Sequence, residues 1–272
     1  RHHPPVHRQC RRGRLGMKTH LSDMIDTLAR RLADTLAPRG CAVCGCRLCR
    51  QEQAVCSACN ISIPRTHYAR NPFDNDMAKV FWHLAPIEKA AAWFFYNAGS
   101  PTAQAIYKLK YFNRPDIGYA LGRIFGQELV ADGFFDDVDV IVPVPLAPKR
   151  ERQRGYNQSV AIAEGMARDA HVDVDRRSLR RTSFAKSQTM LSREEREKNV
   201  SGVFELTSAC QLAGRGILLV DDVCTTGATL TACAKTISQL PGVRIYAATL
   251  AFAGTRYNDS VEDIPFELDV VE

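Results

Sequence analysis

The stretch from Gly216 to Leu230, Gly-Ile-Leu-Leu-Val-Asp-Asp-Val-Cys-Thr-Thr-Gly-Ala-Thr-Leu, constrains the fold more than any other part of the chain. Four consecutive apolar residues, Ile217 to Val220, predict a short strand buried on both faces, the kind found inside a parallel sheet. Asp221 and Asp222 follow at the carboxyl end of that strand, where open α/β sheets bind their ligands. Thr225, Thr226 and Gly227 come next, and a helix is predicted from Ala228 to about Gln239. Small hydroxyl residues and a glycine at a strand-to-helix turn leave backbone N–H groups available to an anion at the helix N-terminus. A carboxylate pair beside a phosphate cradle suits a ligand with both hydroxyls and a phosphate, such as a ribose 5-phosphate. A strand ending in Asp-Asp also suits a Walker B segment, yet no Gly-x-x-x-x-Gly-Lys-Ser/Thr occurs in the chain. Gly214-Arg215-Gly216 precedes its strand, whereas a dinucleotide-binding glycine loop follows one.

The flanking segments extend this unit. Val138 to Val144 predicts a strand, which Pro143-Val144-Pro145 ends without regular pairing. A basic run from Lys149 to Arg154 and Gly155 follows, then a helix to about Ala170 with Val160, Ile162, Ala163 and Met166 on its apolar side. A basic run is usually a solvated face. This one comes after the carboxyl end of a strand and ends in a glycine at a helix start, so Lys149, Arg150, Arg152 and Arg154 are candidates to receive a pyrophosphate. Residues 176–204 form a second basic region, in which Ser183 to Gln188 lacks core periodicity and predicts a loop. Val243 to Phe252 is a further strand, and the β-α-β order over 138–252 implies a parallel sheet. Upstream, a strand is predicted over Ala90 to Tyr96, with helices over Thr102 to Phe112 and Ile117 to Val130. Residues 60–90 read as a proline-interrupted connector with an aromatic cluster of Phe73, Phe81 and Trp82.

Six of the ten cysteines fall within residues 41–59, after a predicted amphipathic helix from Leu21 to Leu36 that Pro38 and Gly40 stop. Cys41-x-x-Cys44, Cys46-x-x-Cys49 and Cys56-x-x-Cys59 each let one tight turn offer two thiolates to one ion, as in structural tetrahedral zinc sites. The outer pairs leave 11 residues between them, enough for a hairpin, whereas Cys44 and Cys46 are crowded. Cys41, Cys44, Cys56 and Cys59 are therefore the expected ligands, and His67 and His83 are expected to be packed or solvated. A redox dithiol or an iron–sulfur cluster fits less well, because neither a thioredoxin-like βαβ setting nor a ferredoxin spacing is present.

The net charge of +6 is local to one end. Residues 1–16 carry five arginines and no acid, so the remainder holds 31 basic against 30 acidic residues. Such a balance is weak support for a general nucleic-acid-binding fold. The leader reads as a disordered segment ahead of Met17, the expected functional start, with a basic nucleic-acid arm as the alternative. No apolar stretch approaches the ~20 residues of a membrane span, and no secretory signal is recognisable. Cysteines at metal-site spacing, without a disulfide framework, point to a cytoplasmic protein.

Residues Ile217 to Thr229 resemble the phosphoribosyl pyrophosphate (PRPP) signature of type I phosphoribosyltransferases, with Cys224 where an aliphatic residue is usual. Between Leu21 and Thr255 the chain resembles the ComF/GntX-type phosphoribosyltransferase family, which is linked to competence for DNA uptake. The matches are the helix before the zinc site, Lys108-Leu-Lys110-Tyr111, Pro143-Val-Pro145, Arg154-Gly-Tyr-Asn-Gln158, Arg181-Thr182, Lys186-Ser-Gln188, Arg196, Asn199-Val200 and the PRPP signature. Cys46 and Cys49 exceed the four cysteines associated with that family. The resemblance implies an α/β fold with a type I phosphoribosyltransferase-like parallel sheet flanked by helices, plus a small N-terminal zinc ribbon with four cysteine ligands. The implied organisation is a leader over 1–20, a helix and zinc module over 21–66, a transferase-like domain over 67–255 and a surface tail over 256–272.

It further implies Mg-dependent transfer of the phosphoribosyl group to an unidentified acceptor. Asp221 and Asp222 would hold the ribose hydroxyls, and Val220, Thr225, Thr226, Gly227, Ala228 and Thr229 would complete the PRPP site. Lys149, Arg150, Arg152, Arg154, Arg181, Lys186 and Gln188 would bind pyrophosphate or form a lid that excludes water. The alternative is a DNA-handling accessory protein that engages single-stranded DNA or a recombination partner and keeps the transferase fold as a scaffold or PRPP sensor. Salvage of an ordinary purine or pyrimidine is a third reading.

Overall fold

The computed structural model describes residues 39–182 and 203–254. The expected leader, the helix over Leu21 to Leu36, the lid residues Lys186 and Gln188 and the tail lie outside the described residues. Cys41 begins a compact unit distinct from Arg1–Gly40.

Five strands form one sheet: β1 (Lys89–Phe95), β2 (Val140–Pro143), β3 (Asp173–Val174), β6 (Gly216–Cys224) and β7 (Arg244–Phe252). Their order is β1-β7-β6-β2-β3 and every pairing is parallel. β4 (Leu179–Arg181) and β5 (Phe204–Leu206) make a separate antiparallel pair. The α-helices among the described residues are α1 (Ser57–Ser62), α2 (Asp76–Phe81), α3 (Pro101–Tyr111), α4 (Pro115–Ala131), α5 (Pro148–Arg154), α6 (Gln158–Ala170) and α7 (Ala228–Ile237).

The sheet is buried on both faces, which is why its strands read as unbroken apolar runs. In β6 successive side chains enter opposite layers. Leu218 and Val220 join a cluster with Ile106, Leu109, Leu121, Phe125, Ile162 and Met166 from α3, α4 and α6. Ile217 and Leu219 join another, with Met77 and Phe81 of α2, Leu179 and Phe204 of β4 and β5, and Leu230, Cys233 and Ile237 of α7. The cysteine segment belongs to the first layer, since Cys41, Ala42, Val43, Val55 and Cys56 share its cluster with Trp93. Helices α4 and α6 cross closely because each presents a glycine. A Cβ on Gly122 would stand 2.2 Å from the Ile162 carbonyl oxygen, and one on Gly165 would stand 2.1 Å from that of Tyr119.

Three local expectations are corrected. β6 does not stop at Val220 but runs to Cys224, because β7 offers Thr249, Ala251 and Phe252 as partners for Asp221, Val223 and Cys224. The basic run is itself a helix, α5, with Pro148 in its first turn and Gly155 closing it in the left-handed conformation at φ 84°. The connector over 60–90 contains α2, capped by Asn75, whose side chain accepts from the Ala78 N–H at 2.9 Å. Phe81 is fully buried in the core, while Phe73 and Trp82 are 58% and 48% exposed.

Candidate functional site

From β2 the chain moves to β3 on one side, then returns to place β6 on the other side of β2. The reversal makes the crevice beyond the carboxyl ends of β2 and β6 the topological switch point, where open α/β sheets bind ligands. Pro143 and Val220 pair there, and Val144 N–H donates to the Val220 carbonyl at 2.9 Å. Asn157 ties the next element in: its side-chain nitrogen donates to the Val144 carbonyl at 3.0 Å, and its side-chain oxygen caps α6 by accepting from Ser159 N–H at 3.0 Å.

The acidic pair stands at this point. Asp221 Oδ1 accepts from Ser159 Oγ and from the Asp222 N–H, both at 2.9 Å. Asp222 is 5% exposed, and its Oδ2 has no hydrogen-bond partner among the described residues. The Lys110 ammonium stands 3.6 Å from that oxygen. Burial, followed by the neighbouring Asp222 charge, pushes the Asp221 carboxyl up to about 7.

Thr225 and Thr226 are exposed just beyond β6, and Gly227 caps α7 with φ 71°. Gly227 is required twice over. The left-handed backbone disfavours any side chain, and a Cβ would meet Val80 Cγ1 at 2.6 Å and Phe81 Cε1 at 2.8 Å. Among the described residues no side chain caps α7, and Ala228 and Thr229 are exposed in its first turn, whose N–H groups have no intrahelical acceptors.

On α5, Lys149, Arg150 and Arg152 are exposed, while half-buried Arg154 turns toward α3, with its guanidinium 6.0 Å from the Tyr111 ring centroid. Arg181 lies in β4 with its guanidinium 5.6 Å from the Phe204 ring centroid. The structure thus joins the acidic pair, the loop and the α7 N-terminus at one crevice, and starts α5 directly after β2. Lys110, Ser159 and Asn157 complete the arrangement without having been singled out for these roles in the sequence. A separate cleft of about 830 Å³ is lined by Arg176 and Arg177 just after β3, by Val140 at the amino end of β2, and by Gln211 and Arg215 just ahead of β6.

The cysteine turns gather more sulfurs than one ion takes. Those of Cys41, Cys44, Cys46 and Cys56 lie within 4.8 Å of one another, with Cys44 and Cys56 at 3.8 Å. Four sulfurs ~2.3 Å from a tetrahedral ion stand ~3.8 Å apart, so the group fits zinc. Cys46 stands in this group where Cys59 was expected. Cys59 is also at hand, its thiol raised by burial and by hydrogen bonds to Cys44, Cys56 and Cys41. Backbone N–H groups already point at sulfur: Cys56 N donates to Cys41 Sγ at 3.4 Å, and Cys59 N to Cys56 Sγ at 3.5 Å. The Cys46 backbone N–H holds the Cys44 thiol down at about 6. Cys49 is exposed and lies outside the group.

No family model matches the chain. It is similar to the DNA utilization protein YhgH of Escherichia coli (strain K12), at 31% identity over 193 residues covering 70% of this chain and 80% of that protein. Competence protein F of Haemophilus influenzae is 33% identical over 103 residues, 38% of this chain and 45% of its own. Competence protein ComFC of Bacillus subtilis is 36% identical over 91 residues, 34% of this chain and 35% of its own. Among solved structures, the glutamine PRPP amidotransferase from B. subtilis aligns over 52% of this chain and 30% of its own, with 19% identity and a TM-score of 0.37. None of the described helices is long and apolar enough to cross a membrane.

Proposed function

Because the chain belongs to the ComF-type phosphoribosyltransferase family, we propose that it binds PRPP at the β2–β6 switch point and transfers the phosphoribosyl group to an acceptor. One observation carries this reading: a buried carboxylate oxygen of Asp222 that has no hydrogen-bond partner among the described residues, beside Asp221, on the strand that leads into the α7 N-terminus. Lys110 balances its charge at 3.6 Å without a hydrogen bond to it; a buried acceptor left unbonded is costly, and the ribose hydroxyls of PRPP are donors of the right kind. Asp221 and Asp222 hold those hydroxyls and stabilise positive charge that develops at C1′. Backbone N–H groups from Thr225 to Thr229 take the 5-phosphate, with Val220 behind them in the sheet. Lys149, Arg150, Arg152 and Arg154 on α5 meet the pyrophosphate, with Arg181, Lys186 and Gln188 as lid residues.

In the transfer, the bond from C1′ to the pyrophosphate oxygen breaks with its electron pair leaving on pyrophosphate, and the acceptor's lone pair forms the new bond to C1′. Mg²⁺, when bound, neutralises charge on the pyrophosphate, and the acidic crevice fits it. Removing one preorganised charged group of this kind typically costs 10²–10³ in rate, about 3–4 kcal/mol. The test is a screen of nucleobases and amines for PRPP-dependent pyrophosphate release. Release with one acceptor, abolished by Asp221→Asn with Asp222→Asn, is expected; no release with any acceptor overturns transfer and leaves a PRPP-binding role.

Structural zinc in the thiol cluster, a metal module over 21–66 joined to a transferase-like domain over 67–255, and a cytoplasmic location belong to the same reading. A second role is favoured by a specific surface. Tyr107, Tyr111 and Phe112 are 51%, 62% and 60% exposed, with ring centroids 4.7 Å apart for Tyr107–Tyr111 and 5.9 Å for Tyr107–Phe112. Arg154 stands over Tyr111, at the end of α5, whose Lys149, Arg150 and Arg152 are exposed. Stacking rings beside cations suit single-stranded DNA, in keeping with the names of the relatives. A fluorescence titration whose log K shows no salt dependence would exclude phosphate contacts.

A further inference from the structure

We propose that the last turn of α3 mechanically couples the thiolate cluster to the acidic pair, with Lys108 as a positioning residue for Lys110. The inference rests on Asp221 and Asp222 being the PRPP site.

The two lysines reach opposite ways. Lys108 Nζ donates to the Ala42 carbonyl at 2.9 Å and to the Cys41 carbonyl at 3.4 Å. Both residues are 1% exposed, and Cys41 supplies a sulfur to the cluster. Lys108 therefore grips the backbone of the metal-binding turn, which the Cys41 N–H closes on the Cys46 carbonyl at 2.7 Å. Residues two apart on a helix point to nearly opposite sides, and Lys110 stands 3.6 Å from Asp222 Oδ2.

Between them, Leu109 is fully buried, and its carbonyl accepts from the Tyr156 hydroxyl. The helix end is thus held at three points and cannot turn to keep one lysine contact while losing the other. Lysines in a last turn also complement the helix dipole, but solvent-facing ones do that equally well. Lys110 is only 27% exposed and faces a carboxylate. When the metal holds Cys41 in place, Lys108 fixes the height of α3, and Lys110 then screens Asp222 against Asp221 so that both carboxylates accept hydroxyls together. When the turn loosens, Lys110 withdraws and affinity for the donor falls. Because coupling between sites is reciprocal, the bound donor must in turn hold the metal more tightly.

The test uses the full chain and Mg-PRPP. Calorimetry is run on wild type and Lys108→Met, each with zinc and after chelator treatment, with Lys110→Met as the reference for lost screening. Expected are one zinc per chain in Lys108→Met, an affinity loss of about tenfold matching that of Lys110→Met, and a similar loss for zinc-stripped wild type. Stripping Lys108→Met should add no further loss. A second readout needs no stripped protein: Mg-PRPP should slow zinc transfer to a chromophoric chelator in wild type but not in Lys108→Met. Wild-type affinity in zinc-loaded Lys108→Met, or equal donor protection of zinc in both proteins, overturns the coupling alone. Failure of wild type to bind Mg-PRPP overturns the donor-site reading and the coupling with it.

Discussion

Replacing Asp221 by Asn should stabilise the ligand-free protein while abolishing donor binding, and the gain should grow with pH in a defined window. Burial and the adjacent Asp222 raise this carboxyl from 3.8 to about 7. The sign follows from proton counts. Between about pH 4 and pH 7 the folded state keeps a proton that the unfolded chain has released, so stability falls as pH rises through that range. Asn carries no charge at either end, and its side-chain oxygen can still accept from Ser159 Oγ and the Asp222 N–H, as Asp221 Oδ1 does. Within the window each pH step of one costs the wild type about 1.4 kcal/mol, so moving from about pH 5.5 to above pH 7 should widen the variant's advantage by ~2 kcal/mol. Urea unfolding of both proteins, followed by fluorescence of buried Trp93 and exposed Trp82, measures this directly. Parallel stability profiles for the two proteins across the window would refute the reasoning, since Asp221 would then be ionised in both states.

Gly227→Ala forces a side chain into a left-handed residue against Val80 and Phe81; a loss of about 2–4 kcal/mol in thermal or urea unfolding is expected. Cys41→Ser should lose the metal, while Cys49→Ser, outside the sulfur group, should keep one equivalent by elemental analysis. With Cys46 and Cys59 as alternative fourth ligands beside Cys41, Cys44 and Cys56, Cys46→Ser and Cys59→Ser should each retain the ion and the double variant should not. Tyr107→Ala with Tyr111→Ala should weaken single-stranded DNA binding by about 1–3 kcal/mol per stacked base in a fluorescence titration.

What the sequence made legible was what local chemistry decides. Ile217 to Val220 announced a central strand because four aliphatic residues in a row, ended by a polar turn, suit a strand covered on both faces. Its extension through Asp221 and Asp222 was hidden, since the polar pair looks like a strand end until β7 is seen to supply partners as far as Phe252. The α5 helix was hidden for the opposite reason: it has no buried residue and therefore no apolar period to detect. The cysteine spacing announced a tetrahedral thiolate site, but the choice of sulfurs depended on a turn at Gly45, with φ 77°, whose N–H donates to the Cys41 carbonyl at 2.9 Å. That turn brings Cys46 into the group where Cys59 had been expected. Lys110 carried no local signal for its role, because its partner Asp222 lies on a distant strand and only the packing of α3 brings them together.

The central claim is that Asp221 and Asp222 form a PRPP site. Calorimetric titration of Mg-PRPP into wild type and into Asp221→Asn with Asp222→Asn tests it most directly. Saturable one-to-one binding by wild type and no detectable heat of binding in the folded double variant are predicted; equal affinity in the two proteins would contradict the assignment.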